Sequence, residues 1–253
     1  YGDNFFPAAS IGQGRGLITA MSVYVDREGN VYVPQGPYYG EAARISVYNA
    51  AFFPVRKIDL GEIPGAGTEN PKSLIIGDNG FIYVAFETGV RGLLVLDKEG
   101  LFSHWLNPMD LIFDQEAIGN SQEAKEQEEE GAATREEPEF DVSELVPELV
   151  PKTGEQVFAG EAEPGMGPVQ VNDVQRDKEG NLYLLSTETS KVYIYNSAEE
   201  YLYNFGEKGG STGKLSQPKQ LVVDDKKKAI YIVDYNRHTI LIYDLSGRFM
   251  HEL

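Results

Sequence analysis

The stretch QPKQLVVDDKKKAIYIVDYNRHTILIYDLSGRF, Gln217 to Phe249, decides the fold. It reads as a proline, an apolar strand, a polar turn and a second strand centred on Tyr231. A link with Asp234, Asn236 and Arg237 follows, then a third strand through Tyr243 and a turn at Asp244 and Gly247. Short alternating runs separated by turn residues predict antiparallel hairpins rather than helices.

The same grammar recurs upstream. VDREGNVYV (Val25 to Val33), IGDNGFIYVA (Ile76 to Ala85) and RDKEGNLYLL (Arg176 to Leu185) each carry a polar turn before a strand centred on tyrosine, at Tyr32, Tyr83 and Tyr183. Glycine stands three residues before each of these, at Gly29, Gly80 and Gly180, where a hairpin turn needs positive φ. Lys228 holds that place in the last unit, which predicts a strained or altered turn. Asp26, Asp177 and Asp225 stand six residues before the central tyrosine; Gly77 replaces them in the second unit. Aspartate there predicts a side chain bonded to its own turn. A second strand follows each time: RISVYN, GLLVLD, KVYIYN and TILIYD. Units of about 50 residues built this way are small sheets that bury neither face alone, so they must stack, and radial stacking makes a β-propeller.

The last unit resembles an NHL repeat, and the resemblance extends less faithfully to the other three. It implies an all-β propeller of four-stranded blades, usually six in the ring, of which four are visible. The expectation is a single propeller domain over residues 1–253, with 108–165 as an acidic insertion or a degenerate blade. Asn4 to Gly16 resembles an outer strand plus linker that completes a blade begun at the C-terminal end; otherwise the remaining blades lie outside this sequence. The chain begins at Tyr1 rather than Met, which predicts a processed or incomplete polypeptide.

Charge is concentrated. The chain carries 22 Lys and Arg against 40 Asp and Glu, a formal charge of -18. Between Gln115 and Glu163 there are 15 acidic and 3 basic residues. The densest part, Ser121 to Glu139, lacks large apolar residues and reads as an exposed arm. This balance opposes nucleic-acid binding, which needs a basic face. No apolar run approaches the roughly 20 residues that span a bilayer, so no membrane insertion is expected. The absence of cysteine excludes disulfides, zinc–thiolate sites and thiol nucleophiles.

Chemistry is sparse. His104, His238 and His251 fall on different local strands without a metal-binding spacing, and no nucleophile elbow occurs. Two features suggest binding instead. The first unit's link, PQGPYYGEAA (Pro34 to Ala43), is lengthened and offers Tyr38 and Tyr39, amphipathic groups favoured at interfaces. DVSELVPELVP (Asp141 to Pro151) repeats ELVP in tandem; Pro147 opposes a helix, leaving Leu145, Val146, Leu149 and Val150 as an extended docking segment. The expected function is a non-catalytic scaffold for protein–protein interaction or self-association, without cofactor. The alternative is a calcium-dependent hydrolase similar to gluconolactonase-type lactonases, with Asn172 and Asp173 on the axis. The resemblance suggests an extracellular or cell-envelope location.

Overall fold

The computed structural model describes residues 19–112 and 165–253. The residues described are strands, turns and loops, with no helix among them. Four sheets follow one another along the chain, each four-stranded and antiparallel in sequence order. Blade 1 comprises β1 (Tyr24–Val25), β2 (Val31–Gln35), β3 (Arg44–Tyr48) and β4 (Pro54–Asp59). Blade 2 comprises β5 (Pro71–Ile76), β6 (Ile82–Phe86), β7 (Leu93–Leu96) and β8 (Phe102–Leu106). A two-stranded pair follows, β9 (Met109–Leu111) with β10 (Met166–Pro168). Blade 3 comprises β11 (Asp173–Arg176), β12 (Leu182–Ser186), β13 (Lys191–Tyr195) and β14 (Tyr201–Phe205). Blade 4 comprises β15 (Pro218–Asp224), β16 (Ala229–Asp234), β17 (Thr239–Asp244) and β18 (Phe249–Glu252).

The four tyrosines are equivalent. Tyr32, Tyr83, Tyr183 and Tyr231 sit on the second strand of each blade, opposite Val47, Val95, Ile194 and Ile242 of the third. In every blade the register between third and fourth strands shifts one residue further on, at Tyr48, Leu96, Tyr195 and Tyr243. A bulge at the same place four times is a repeated device for twisting the outer strand.

Alternation along each strand sends side chains to both faces, and both are used. In blade 2, Ile82, Val84 and Phe86 pack toward blade 1 with Tyr32, Ile45 and Val47. Tyr83, Ala85 and Val95 pack toward blade 3 with Val174, Leu184 and Tyr193. Tyr183 and Ile194 then meet Leu221, Ile230 and Leu241 of blade 4. Tyr231 faces the other way, on the side of blade 4 that carries exposed Val222 and Val233. Three of the four tyrosines are therefore buried between sheets, and the fourth is not.

Each blade has two ends. The β1–β2 and β3–β4 hairpins and their counterparts form a turn end; the β2–β3 links and the linkers between blades form a link end. At the turn end, Gly29, Gly80 and Gly180 take φ of 83, 81 and 89°. Lys228 takes φ 55°, so the lysine does occupy left-handed backbone. Asp26 and Asp177 bind their own turns as expected: each accepts from the N–H two residues on and from Asn30 or Asn181. Blade 4 corrects the expectation for Asp225. There Asp224 accepts the N–H groups of Lys226 and Lys227, and Asp225 instead accepts the Lys178 N–H of blade 3. The tighter lysine turn shifts the carboxylate by one position.

Candidate functional site

Tyr38 and Tyr39 stand at the link end of blade 1. Tyr38 and Glu41 exchange backbone hydrogen bonds of 3.0 and 2.9 Å, closing a two-residue tip. Tyr39 and Gly40 within it have φ of 46 and 81°. Positive φ at both central residues is the condition for a type I′ turn, where Asn and Gly are the usual occupants. A tyrosine there is strained, by roughly 1–2 kcal/mol. Tyr39 is 89% exposed, so burial does not hold it in place. Its ring meets Tyr38 edge-on, with centroids 4.4 Å apart. Desolvation and the neighbouring Tyr39 raise the Tyr38 phenol above its ordinary pKa. At the base of the loop, Arg44 binds Glu41 and also donates to Gln35.

The tip borders a groove of about 530 Å³ whose other wall is the linker through Glu62, Ile63, Pro64 and Thr68. Two acidic side chains line it, Glu41 and Glu62, and no basic one does. The groove therefore offers aromatic faces, a proline edge and negative charge, a combination that favours apolar and cationic groups.

Asn172 and Asp173 lie at the link end of β11, both nearly fully buried. Asn172 Nδ2 donates to the Glu87 carbonyl at 2.9 Å and its Oδ1 accepts the Thr187 N–H at 2.8 Å. Asp173 accepts the N–H of Val174 on one carboxylate oxygen and that of Leu221, at 2.8 Å, on the other. Ser73 Oγ also accepts the Val174 N–H, so Asp173 sits where β5, β11 and β15 meet. Burial raises its pKa. Calcium requires six to eight oxygen ligands. This pair is committed to hydrogen bonds, given and accepted, that fasten three blades together, and it does not fit a calcium site. Among the described residues, no group of three or more His, Asp or Glu is arranged to hold a metal ion.

His104 lies in blade 2, whereas His238 and His251 both lie in blade 4. His238 is exposed in the link of blade 4, beside Tyr235. His104 Nε2 meets Glu199 at 2.5 Å, and Glu199 also accepts from the Tyr83 hydroxyl at 2.7 Å. This contact joins blades 2 and 3 at the turn end; residues 95 positions apart carried no sequence signal for it. Leu145, Val146, Leu149 and Val150 lie outside the described residues, as do the acidic arm and Asn4 to Gly16.

Residues 169–253 match a family, DUF5128, described as a 6-bladed beta-propeller. No curated protein matches the chain in sequence. Among solved structures, a streptogramin B lyase is similar over 92% of this chain and 54% of its own, with 12% identity and a TM-score of 0.52. A virginiamycin B lyase from Staphylococcus aureus is similar over 92% of this chain and 55% of its own, with 11% identity and a TM-score of 0.53. Hydrazine synthase from Kuenenia stuttgartiensis follows at 9% identity and a TM-score of 0.51, over 92% of this chain and 48% of its own. The chain spans about half the length of these structures, and at such identities the likeness concerns the fold alone. Sheet order, repeated register and family match together define a β-propeller.

Proposed function

We propose that the protein is a non-catalytic scaffold whose Tyr38–Tyr39 tip and adjoining groove engage a protein partner or a second copy of the chain. One observation carries this: an exposed aromatic side chain held in left-handed backbone at the lip of a groove. Strain at an exposed tip is offset only by the edge-on contact with Tyr38, and such strain clusters where a surface is used. Tyrosine supplies large contact area at low entropic cost, which suits recognition. The acidic lining and the formal charge of -18 favour a partner with basic and apolar groups and disfavour nucleic acid. The doubled ELVP, with Leu145, Val146, Leu149 and Val150, is proposed as a second contact segment. No helix among the described residues is long and apolar enough to cross a membrane. We place the protein in the extracellular space or cell envelope on its resemblance to NHL-type propellers.

The test compares wild type with the double variant Tyr38→Ala, Tyr39→Ala. Sedimentation velocity reads self-association, and affinity capture from the native source reads a partner. The double variant is expected to lose at least about tenfold in affinity, as for truncated interface tyrosines, with its thermal midpoint preserved. Unchanged association overturns the proposal. So does lactone hydrolysis that needs calcium and is abolished by Asn172→Ala, the result expected of the competing hydrolase.

A further inference from the structure

The turn end holds a second cavity, of about 310 Å³, within the range of small-molecule sites. Blades 1, 2 and 3 all line it. Arg27 and Arg176 meet the same oxygen of Asp78, at 3.1 and 2.7 Å. Two guanidinium groups thus share one carboxylate. Arg56 lines the same cavity; it donates to the Lys98 carbonyl at 2.9 Å and has no carboxylate partner among the described residues. Lys98 adds a fourth cation, 3.8 Å from the Glu99 carboxylate. Of the other acids in the lining, Asp26 is engaged by its own turn and by the Tyr32 hydroxyl, and Glu28 is exposed. The apolar wall is made by the Tyr24 and Tyr32 rings with Ile76 and Ile82.

The cavity lies where the repeat breaks. Blades 1 and 3 fill this corner with Asp26 and Asp177, each bonded to the asparagine four residues on. Blade 2 has Gly77 and Phe81 at the two places. Asn79 takes over the turn: its Oδ1 accepts the Phe81 N–H at 3.0 Å and its Nδ2 donates to the Tyr83 hydroxyl. A Cβ at Gly77 would fall 2.5 Å from Asn79 Oδ1 and 2.9 Å from the Tyr83 ring, so this corner takes glycine as it stands. The substitution removes a carboxylate from the wall and leaves Asp78 to bridge the neighbouring blades.

We infer that this cavity binds a small organic oxyanion, a carboxylate or a phosphate monoester carrying an apolar body. Arginine supplies the paired donors that such groups require. The overall charge of -18 opposes the approach of an anion, so binding rests on close contacts rather than steering. The tyrosine and isoleucine wall accommodates the apolar body.

Isothermal titration with benzoate, phenyl phosphate and benzyl alcohol tests this. At least one of the two anions is expected to bind, and comparing them separates a carboxylate site from a phosphate site; the neutral alcohol is expected to give no heat. Arg56→Gln should weaken the anion about tenfold or more, the value of a charge-assisted hydrogen bond. Joint replacement Gly77→Asp, Asn79→Glu and Phe81→Asn gives these three positions the residues of blades 1 and 3 and should remove binding. Should Arg56→Gln fail to fold, Arg27→Gln serves in its place, since that side chain is 75% exposed. Absence of heat with both anions, equal binding of the alcohol, or an affinity unchanged by the folded arginine variant overturns the inference.

Discussion

At the turn end of blade 1, one aspartate accepts two backbone N–H groups and an asparagine amide, and blade 3 repeats the arrangement. At the link end of blade 1, the backbone reverses through a strained tyrosine, where the links of blades 3 and 4 put Ser190 and His238 in left-handed backbone. The first end is periodic and internally satisfied. The second repeats a left-handed residue but varies its side chain, which in blade 1 is an exposed tyrosine. A repeat scaffold must close its hydrogen bonds wherever the unit recurs, whereas a loop outside that constraint is free to carry function. Departures from periodicity therefore deserve a functional reading, and blade 2 shows that the turn end has one too, at Gly77.

The largest expected effect tests the claim that the turn end is structural. Tyr83 is 1% exposed, its ring packed between blades 2 and 3 and its hydroxyl bonded to Glu199 and Asn79. Tyr83→Ala should cost about 3–5 kcal/mol, through a cavity and two lost hydrogen bonds. Tyr231→Ala, at the equivalent position but only half-buried, should cost about 1 kcal/mol or less. Urea unfolding of both variants checks the contrast. Equal losses would mean that Tyr231 is also covered in solution.

A carboxylate from each end gives the next test, with opposite signs. Asp78, at the turn end, has its pKa lowered, first by the hydrogen bond from Arg176. Its contribution to stability is fully present above the unfolded value near 3.8 and is lost as pH falls through the lower folded value. Asp173, at the link end of β11, has its pKa raised by burial. The folded chain holds that proton more tightly than the unfolded chain. Asp173 therefore removes stability as pH rises from about 3.8 through its raised folded value. Urea midpoints of wild type and Asp173→Asn at a series of pH values from about 3.8 upward check this. Their difference should change with pH above the unfolded value. Parallel curves throughout would show that Asp173 titrates as an exposed carboxylate does.

The periodic part of the molecule was legible in the sequence, because strand alternation, turn glycines and central tyrosines are local signals. They located all four sheets and the equivalence of Tyr32, Tyr83, Tyr183 and Tyr231. Lys228 was legible as an anomaly, and its φ bears that out. Contacts between blades were not legible. Asp225 reaches a backbone N–H 47 residues away, and Asn172 a carbonyl 85 residues away. Nothing in the neighbouring residues announces such a partner. Asn172 and Asp173 looked like free ligands for this reason: apart from the adjacent Val174 N–H, the groups that occupy them lie elsewhere in the chain. The Tyr38–Tyr39 tip was visible as a lengthened link, but its groove needed Ile63 and Pro64, which only folding brings beside it.

The smallest effect separates strain from function at the link end. Asparagine tolerates left-handed backbone better than tyrosine, because its short side chain bonds locally. Tyr39→Asn should therefore raise stability slightly, by a few tenths to about 1 kcal/mol, the usual gain from relieving a single unfavourable φ. Tyr39 is 89% exposed, so little burial is lost in exchange. If the tyrosine is kept for contact, the same variant should bind its partner or second copy more weakly while melting at a slightly higher temperature. Thermal unfolding and sedimentation velocity on one preparation measure both quantities. A gain in stability with undiminished association would show that the strained tip is not the contact. A loss in stability would show instead that the edge-on packing with Tyr38, at 4.4 Å, outweighs the backbone strain. Opposed changes in the two measurements are the signature of a residue selected for its surface rather than for its fold.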